Sequence, residues 1–322
     1  MKHNRFLKII FLLMLTAIFC AGCGNEPDVV VIRDSNSSGT NETGDEKKYK
    51  IYLITMDLAD DFWKTIDLGC RQAVEELGEV DYVWTGPDVN EDAPQMECID
   101  KAVADGADAI ILAASSPWGV NESIDKATKA GVKFIYVDNA AQYDCVAFLA
   151  TDNELAGTIA GETLKQGLED AGITSGIIGV TANKDNVTST NLRIQGFRKA
   201  FEGTEFTLDN TFFMEDNDQS LKDFAAAHPE YIAFFGSNER TARNLGEQMK
   251  AAASKQIVMG FDTSDAVLTL MYEGYLYATL QQKPQRMGYE GVKIAVETLQ
   301  GTYTKTNERI DTGVNVINKD SI

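Results

Sequence analysis

Histidine is nearly absent from this 322-residue chain, which has two copies, His3 and His228. His228 precedes Pro229 at an expected helix end, and His3 falls in the N-terminal segment. Serine–histidine or cysteine–histidine catalysis therefore has no partner set, and no H-E-x-x-H metal motif occurs. Cysteine is sparse too, with five copies. Cys20 and Cys23 lie near the N-terminus, and Cys70, Cys98 and Cys145 are isolated. An odd, scattered set excludes a disulfide framework and offers no metal spacing. Cys70 and Cys98 fall on apolar helix faces, where buried thiols are expected. Positive charge is the third deficit. Lys and Arg number 29 against 49 Asp and Glu, for a net charge of −20. Lys2, Arg5 and Lys8 sit in a first segment without acids, which leaves 26 bases against 49 acids, or −23. Nothing in such a chain offsets phosphate repulsion, so nucleic acid is excluded as a partner. No cofactor and no metal is expected.

What is present begins with Lys2, Arg5 and Lys8, followed by an apolar run from Ile9 to Phe19. That run is too short for a comfortable membrane span. Phe19-Cys20-Ala21-Gly22-Cys23 follows. Small residues directly before a cysteine resemble a bacterial lipobox, with Cys23 as the lipidated first residue of the mature protein. Cys20 stands where an apolar residue is usual. The alternative is an ordinary cleaved signal peptide over residues 1–22. Residues 23–48 are rich in Asn, Ser, Thr, Gly, Asp and Glu, and are expected to be a disordered tether. Acyl chains on Cys23 would hold the domain outside the cytoplasm at a membrane surface.

The organising stretch of the rest is KIYLITMDLADDFWKTIDLGCRQAVEELG, residues 50–78. Ile51 to Ile54 form an unbroken apolar run, as in a strand buried on both faces of a parallel sheet. After an acidic turn, Phe62, Ile66, Cys70, Ala73 and Leu77 recur at helical spacing. The turn holds Asp57, Asp60, Asp61, Phe62 and Trp63 at the carboxyl end of that strand, where open parallel sheets bind ligands. Strands are expected over 80–84, 109–113, 132–137 and 145–150. Helices are expected over 93–104 and 117–130. Such alternation indicates a doubly wound α/β domain. A second set follows. Its strands are expected over 176–181, 206–214, 231–235, 257–261, 275–281 and 309–317. Its helices are expected over 154–168, 189–201, 221–227, 239–252 and 285–299. Small residues at 156, 157, 160 and 161 allow close helix packing. Asp138 and Asp262 each follow an apolar strand (FIYVD, VMGFD), a weak internal symmetry.

The order and spacing of several motifs complete the pattern. They are DDFW after the first strand, LATDNELAGTIAG at a crossover, NLRIQGF, FFGSNERTA, VMGFDTSD and YATLQQKP. Over residues 49–319 the chain resembles the type I periplasmic sugar-binding proteins, the ribose- and galactose-binding receptors of ABC importers. The resemblance implies two doubly wound parallel-sheet lobes joined by three crossovers, with the ligand in the cleft between them. The lobes would be residues 49–151 plus 283–311, and 152–282 plus 312–322. It also implies a non-catalytic receptor that captures a small sugar or polyol by lobe closure and delivers it to an ABC permease. A monomer is expected.

Carried over by position, the first lobe would supply Asp60, Phe62, Trp63, Asp138 and Asn139. The second would supply Arg193, Asn217, Asn238, Asp262 and Gln282. Carboxylates and a guanidinium make charge-assisted hydrogen bonds to hydroxyls, and amides both donate and accept. Structural alternatives stand beside these roles: helix caps for Asp138 and Asp262, a solvated Arg193, a core Trp63 and a hinge-only Gln282. A ribose receptor has Asn, Arg and an aromatic where Asp60, Asn139 and Asn217 stand, so a related but different ligand is expected. Tyr82 to Pro87 also resembles receptors of a furanosyl quorum signal. The rival functions are a receptor that reports to a membrane kinase or chemoreceptor, and, more remotely, a glycoside hydrolase using Asp57 and Asp60.

Overall fold

Tyr49–Ile54 (β1) opens the folded chain, and the computed structural model describes residues 48–322. The segment 1–22, Cys23 and nearly all of the expected tether lie outside the described residues. Among the described residues no helix is long and apolar enough to cross a membrane.

The first sheet is built in the order the alternation implies. After β1 come α1 (Asp61–Leu77), β2 (Val80–Thr85), α2 (Asp92–Ala104), β3 (Ala109–Leu112), α3 (Asn121–Lys129), β4 (Lys133–Val137) and β5 (Ala147–Ala150). One more strand, β12 (Glu308–Asp311), joins from the far end of the chain. The strand order is β12-β5-β4-β3-β1-β2, and every pair is parallel. Both faces of β1 are covered: Ile51 and Leu53 enter one apolar cluster, Tyr52 and Ile54 the other. That two-sided burial is why the run carries no polar break.

The second sheet repeats the plan with α4 (Asn153–Asp170), β6 (Gly176–Ala182), α5 (Thr188–Ala200), β7 (Phe206–Leu208), β8 (Phe212–Phe213), α6 (Asp218–Ala227), β9 (Ala233–Gly236), α7 (Glu239–Ala252), β10 (Ile257–Phe261), α8 (Asp265–Tyr272) and β11 (Ala278–Gln282). Its order is β13-β11-β10-β9-β6-β7, with β8 also on β6. The edge strand β13 (Val314–Asn318) runs antiparallel to β11, the exception to parallel pairing. Helix α9 (Pro284–Gln300) returns to the first lobe and packs on α1.

Each lobe contains one helix pair in backbone contact. A Cβ placed on Gly69 would lie 1.9 Å from the Gln285 carbonyl oxygen, and one on Gly288 would lie 2.0 Å from that of Ile66. In the second lobe a Cβ on Gly157 would meet the Arg193 carbonyl at 1.9 Å, and one on Gly196 that of Glu154 at 1.8 Å. The contact between α4 and α5 therefore fixes the height of Arg193.

Four expectations change. The helix expected from Pro117 starts at Asn121, because the Gly119 amide donates to Ser116 Oγ in a turn and Gly119 lies against the Asp92 carboxylate. The strand expected over 206–214 breaks into β7 and β8, since Arg198 draws the Asp209 carbonyl out of line at 2.6 Å. Helix α8 was not expected; Ser264 caps it by accepting from the Val267 amide. The terminal strand expected over 309–317 divides at Gly313, whose φ of 74° ends β12 and sends β13 to the other sheet.

Candidate functional site

The carboxyl ends of both sheets face one cavity of about 1250 Å³. Its position follows from the strand order, because loops leaving parallel strands diverge where the order reverses. Asp138 and Asp262 are the first residues past β4 and β10. The Asp138 amide still donates to the Leu149 carbonyl of β5 at 2.9 Å, and the Asp262 amide to the Leu280 carbonyl of β11 at 2.7 Å. Both residues then turn left-handed, with φ of 58° and 66°. Aspartate tolerates that region better than most residues, at a strain of about 1–3 kcal/mol. Neither caps a helix, so the capping alternative is not what the structure holds.

Arg193 projects from α5 and is 5% exposed, not solvated. Its guanidinium is held on several sides. Nε donates to Asn153 Oδ1 at 2.8 Å, Nη1 donates to the Ser237 carbonyl at 3.2 Å, and the plane lies 3.6 Å from the centre of the Phe261 ring. Asp262 Oδ2 stands 3.7 Å from Nη1. Burial pulls the guanidinium below its ordinary value, with Asp262 and Asp138 opposing the shift. Gln282 ties this group to a crossover. Its Nε2 donates to Asp262 Oδ1 at 2.7 Å, and its Oε1 accepts from the Thr151 hydroxyl at 2.9 Å. It is thus both a cavity residue and a hinge residue.

The opposite wall comes from the turn before α1. Asp60 caps that helix, its Oδ1 accepting from the Phe62 amide at 2.8 Å. Phe62 and Trp63 meet edge to face, 5.2 Å between centroids at 85°. Trp63 is 6% exposed and donates to Asp57 Oδ2 at 3.2 Å, so its body is core and only an edge reaches the cavity. Asp138 feels the whole assembly. Burial pushes its carboxyl up to about 6, with Arg193 opposing and Asp262 and Asp60 adding to the shift.

Seven of the ten expected ligand contacts therefore line the cavity: Asp60, Phe62, Trp63, Asp138, Arg193, Asp262 and Gln282. Asn139, Asn217 and Asn238 do not. Asn139 donates to Asp138 Oδ2 at 2.7 Å and so supports that carboxylate. Asn217 caps α6, and its loop is pinned by Arg240, which holds Asp216 at 3.0 Å and Asp218 at 2.7 Å. Asn238 closes a capping box with Thr241 on α7. The wall also includes Glu239, Arg243 and Ser264, which the sequence reading missed. Thr263-Ser264-Asp265 before an apolar run was the available signal, a helix start that places Ser264 at the cavity. No group of three or more His, Cys, Asp or Glu among the described residues could hold a metal ion.

The model of the periplasmic binding protein domain matches residues 51–302. The ribose import binding protein of Haemophilus influenzae is 25% identical over 273 residues, covering 81% of this chain and 89% of the relative. That of Bacillus subtilis is 22% identical over 303 residues, 90% of this chain and 92% of the relative. Among solved structures, an ABC transporter solute-binding protein from Agrobacterium vitis with bound alpha-D-tagatopyranose is 26% identical. It superposes with a TM-score of 0.72 over 85% of this chain and 95% of its own. A second solute-binding protein from that organism, with bound D-fucose, is 27% identical. Its TM-score is 0.70 over 85% and 96% of the two chains.

Proposed function

This chain belongs to the periplasmic binding protein family, a family of extracytoplasmic solute receptors, and from that premise we propose that it captures a small sugar between its lobes. The observation that carries the proposal is the meeting of Asp138, Asp262, Arg193 and Gln282 in one cavity, beside Phe62 and the edge of Trp63. The two carboxylates accept from hydroxyls, Arg193 and Gln282 donate to ring or hydroxyl oxygens, and the aromatic edge meets an apolar sugar face. The relatives are named for ribose import, and the two Agrobacterium neighbours hold a ketohexose and a deoxyhexose. The protein is not catalytic in this reading, and it works as a monomer.

The cavity is larger than the roughly 300–1,000 Å³ usual for small-ligand sites. Closure of residues 49–151 plus 283–311 onto 152–282 plus 312–322 would shrink it around a sugar. The lobes would bend together at Thr151-Asp152, Gln282-Lys283 and Asp311-Thr312. A sugar that touches both walls only when they close shifts the open–closed equilibrium toward the closed form. The closed receptor then delivers its cargo to an ABC permease, while acyl chains on Cys23 hold it at the membrane surface.

A thermal-shift screen of pentoses, hexoses, polyols and the furanosyl signal tests this. A ligand of the native state raises the melting temperature with the logarithm of its concentration. A shift with one sugar, lost in Arg193→Ala, with a more compact scattering envelope, supports the reading. No shift with any carbohydrate refutes it. Export of that sugar's binding signal to a kinase, with import unaffected by deleting the receptor, would replace the permease as the partner.

A further inference from the structure

The charged groups around the cavity pair off unevenly: among the described residues Asp60, Asp138, Asp265 and Lys283 line it without an ion pair. Asp61 is matched by Lys64 at 2.8 Å. Glu239 accepts from the Ser264 hydroxyl at 2.8 Å and has Arg243 at 3.9 Å. Arg286 is engaged by Glu290 at 2.8 Å and by the Thr312 carbonyl at 3.0 Å. Asp262 has Arg193 and the amide of Gln282. Asp60 caps α1 and Asp265 lies in the first turn of α8, where a helix end favours negative charge. Asp138 has none of these. Among the described residues no Lys or Arg nitrogen lies within ion-pair distance of it, and its hydrogen-bond donor is the neutral amide of Asn139. Arg193, the cation that acts on it across the cavity, is already shared with Asp262 and a backbone carbonyl.

We propose that the sugar this cleft takes carries one protonated amine, seated on Asp138. The inference rests on the sugar-binding reading and narrows it to amino sugars. Lobe closure removes water from Asp138, and an ionised carboxylate shut away from water without a counter-charge is strongly disfavoured. A hydroxyl donor satisfies a lone pair but leaves the charge. An ammonium group supplies the donor and the charge together, and such charge-assisted bonds are the stronger class. Arg193 cannot move across to do so, because Asn153, Ser237 and the Phe261 ring fix its plane on the second lobe.

The test is titration calorimetry of the full chain at neutral pH with three matched sets. They are glucosamine, glucose and N-acetylglucosamine; galactosamine, galactose and N-acetylgalactosamine; and mannosamine, mannose and N-acetylmannosamine. The expected result is one amine that binds about tenfold more tightly than its neutral parent, the difference between a charged and a neutral hydrogen bond. In Asp138→Asn that ratio should fall to about one, because the amide keeps the shape and loses the charge. Asparagine suits the left-handed backbone at this position, and a cooperative melt of the free variant at a temperature no lower than the parent's confirms that it folds. A neutral or acetylated sugar that binds as tightly as its amine, or more so, overturns the inference while sugar binding stands. Binding of no member of any set, with no hit in the wider carbohydrate screen, overturns the inference and the sugar reading together.

Discussion

Asp138 and Asp262 hold the same position in the two sheets: each follows the strand next to the crossover-adjacent strand, keeps its amide in the ladder, and turns to positive φ. The symmetry is of backbone only. Asp262 has a guanidinium at 3.7 Å, while Asp138 has an amide at 2.7 Å.

That difference gives Asp138 a pH signature. Burial pushes its carboxyl up to about 6, whereas an unfolded aspartate titrates near about 4. The folded protein therefore holds the proton more tightly between those values. Stability from this group is complete below about pH 4 and is lost as the pH rises through the folded value. Asp138→Asn cannot ionise, so its melting temperature should gain on the parent as the ligand-free protein is taken from pH 4 to 7. A gap that stays flat across that range would remove Asp138 as the source.

Gln282 joins Thr151 of the first crossover to Asp262 of the cavity. Gln282→Ala strips both partners at a site 8% exposed, and should lower the free energy of unfolding by about 1–3 kcal/mol. Urea unfolding measures it. Gln282→Glu sets two carboxylates together, so its deficit should be larger at pH 7 than at pH 4.

The glycines between α4 and α5 have no room for a methyl group. Gly157→Ala or Gly196→Ala should push the helices apart, cost about 1–3 kcal/mol, and move Arg193. Sugar affinity should fall with stability. Gly203→Ala, in a turn with no neighbour near its Cβ position, is a control for backbone strain alone, since its φ is 74°.

Arg193→Lys keeps the charge but not the fork. Its ammonium cannot serve Asn153, the Ser237 carbonyl and the Phe261 face at once. Stability should drop by about 1–3 kcal/mol, and sugar binding by more than in a Lys-to-Arg exchange at exposed Lys199. Denaturant melts of the free and sugar-loaded protein separate the two effects.

Much of this was legible in the chain itself. Ile51 to Ile54 announced a two-faced strand, and the repeat of apolar strand plus aspartate at Val137-Asp138 and Phe261-Asp262 announced the paired sheets. Gly157 and Gly161 announced close packing. The asparagines were the limit. Asn139, Asn217 and Asn238 have the same side chain as a sugar-binding amide, and only the neighbours show its use: Asp138 for the first, helix ends for the others. Arg198 breaking β7 from β8, and Gly313 sending the last strand to the other sheet, are likewise long-range or torsional facts that an apolar run does not encode.

The returning helix α9 has a consequence for how the protein comes into being. It covers the Ile66 and Cys70 side of α1, yet lies more than two hundred residues downstream. At a ribosomal rate of about 5–20 residues per second, that side of α1 waits on the order of ten to forty seconds for its partner. The second lobe meanwhile lacks its edge strand until residues 314–318 emerge. Neither half is a contiguous piece of chain. A nascent chain cut short before α9 therefore presents an apolar helix face and an unfinished sheet, which is the kind of surface that holding chaperones bind.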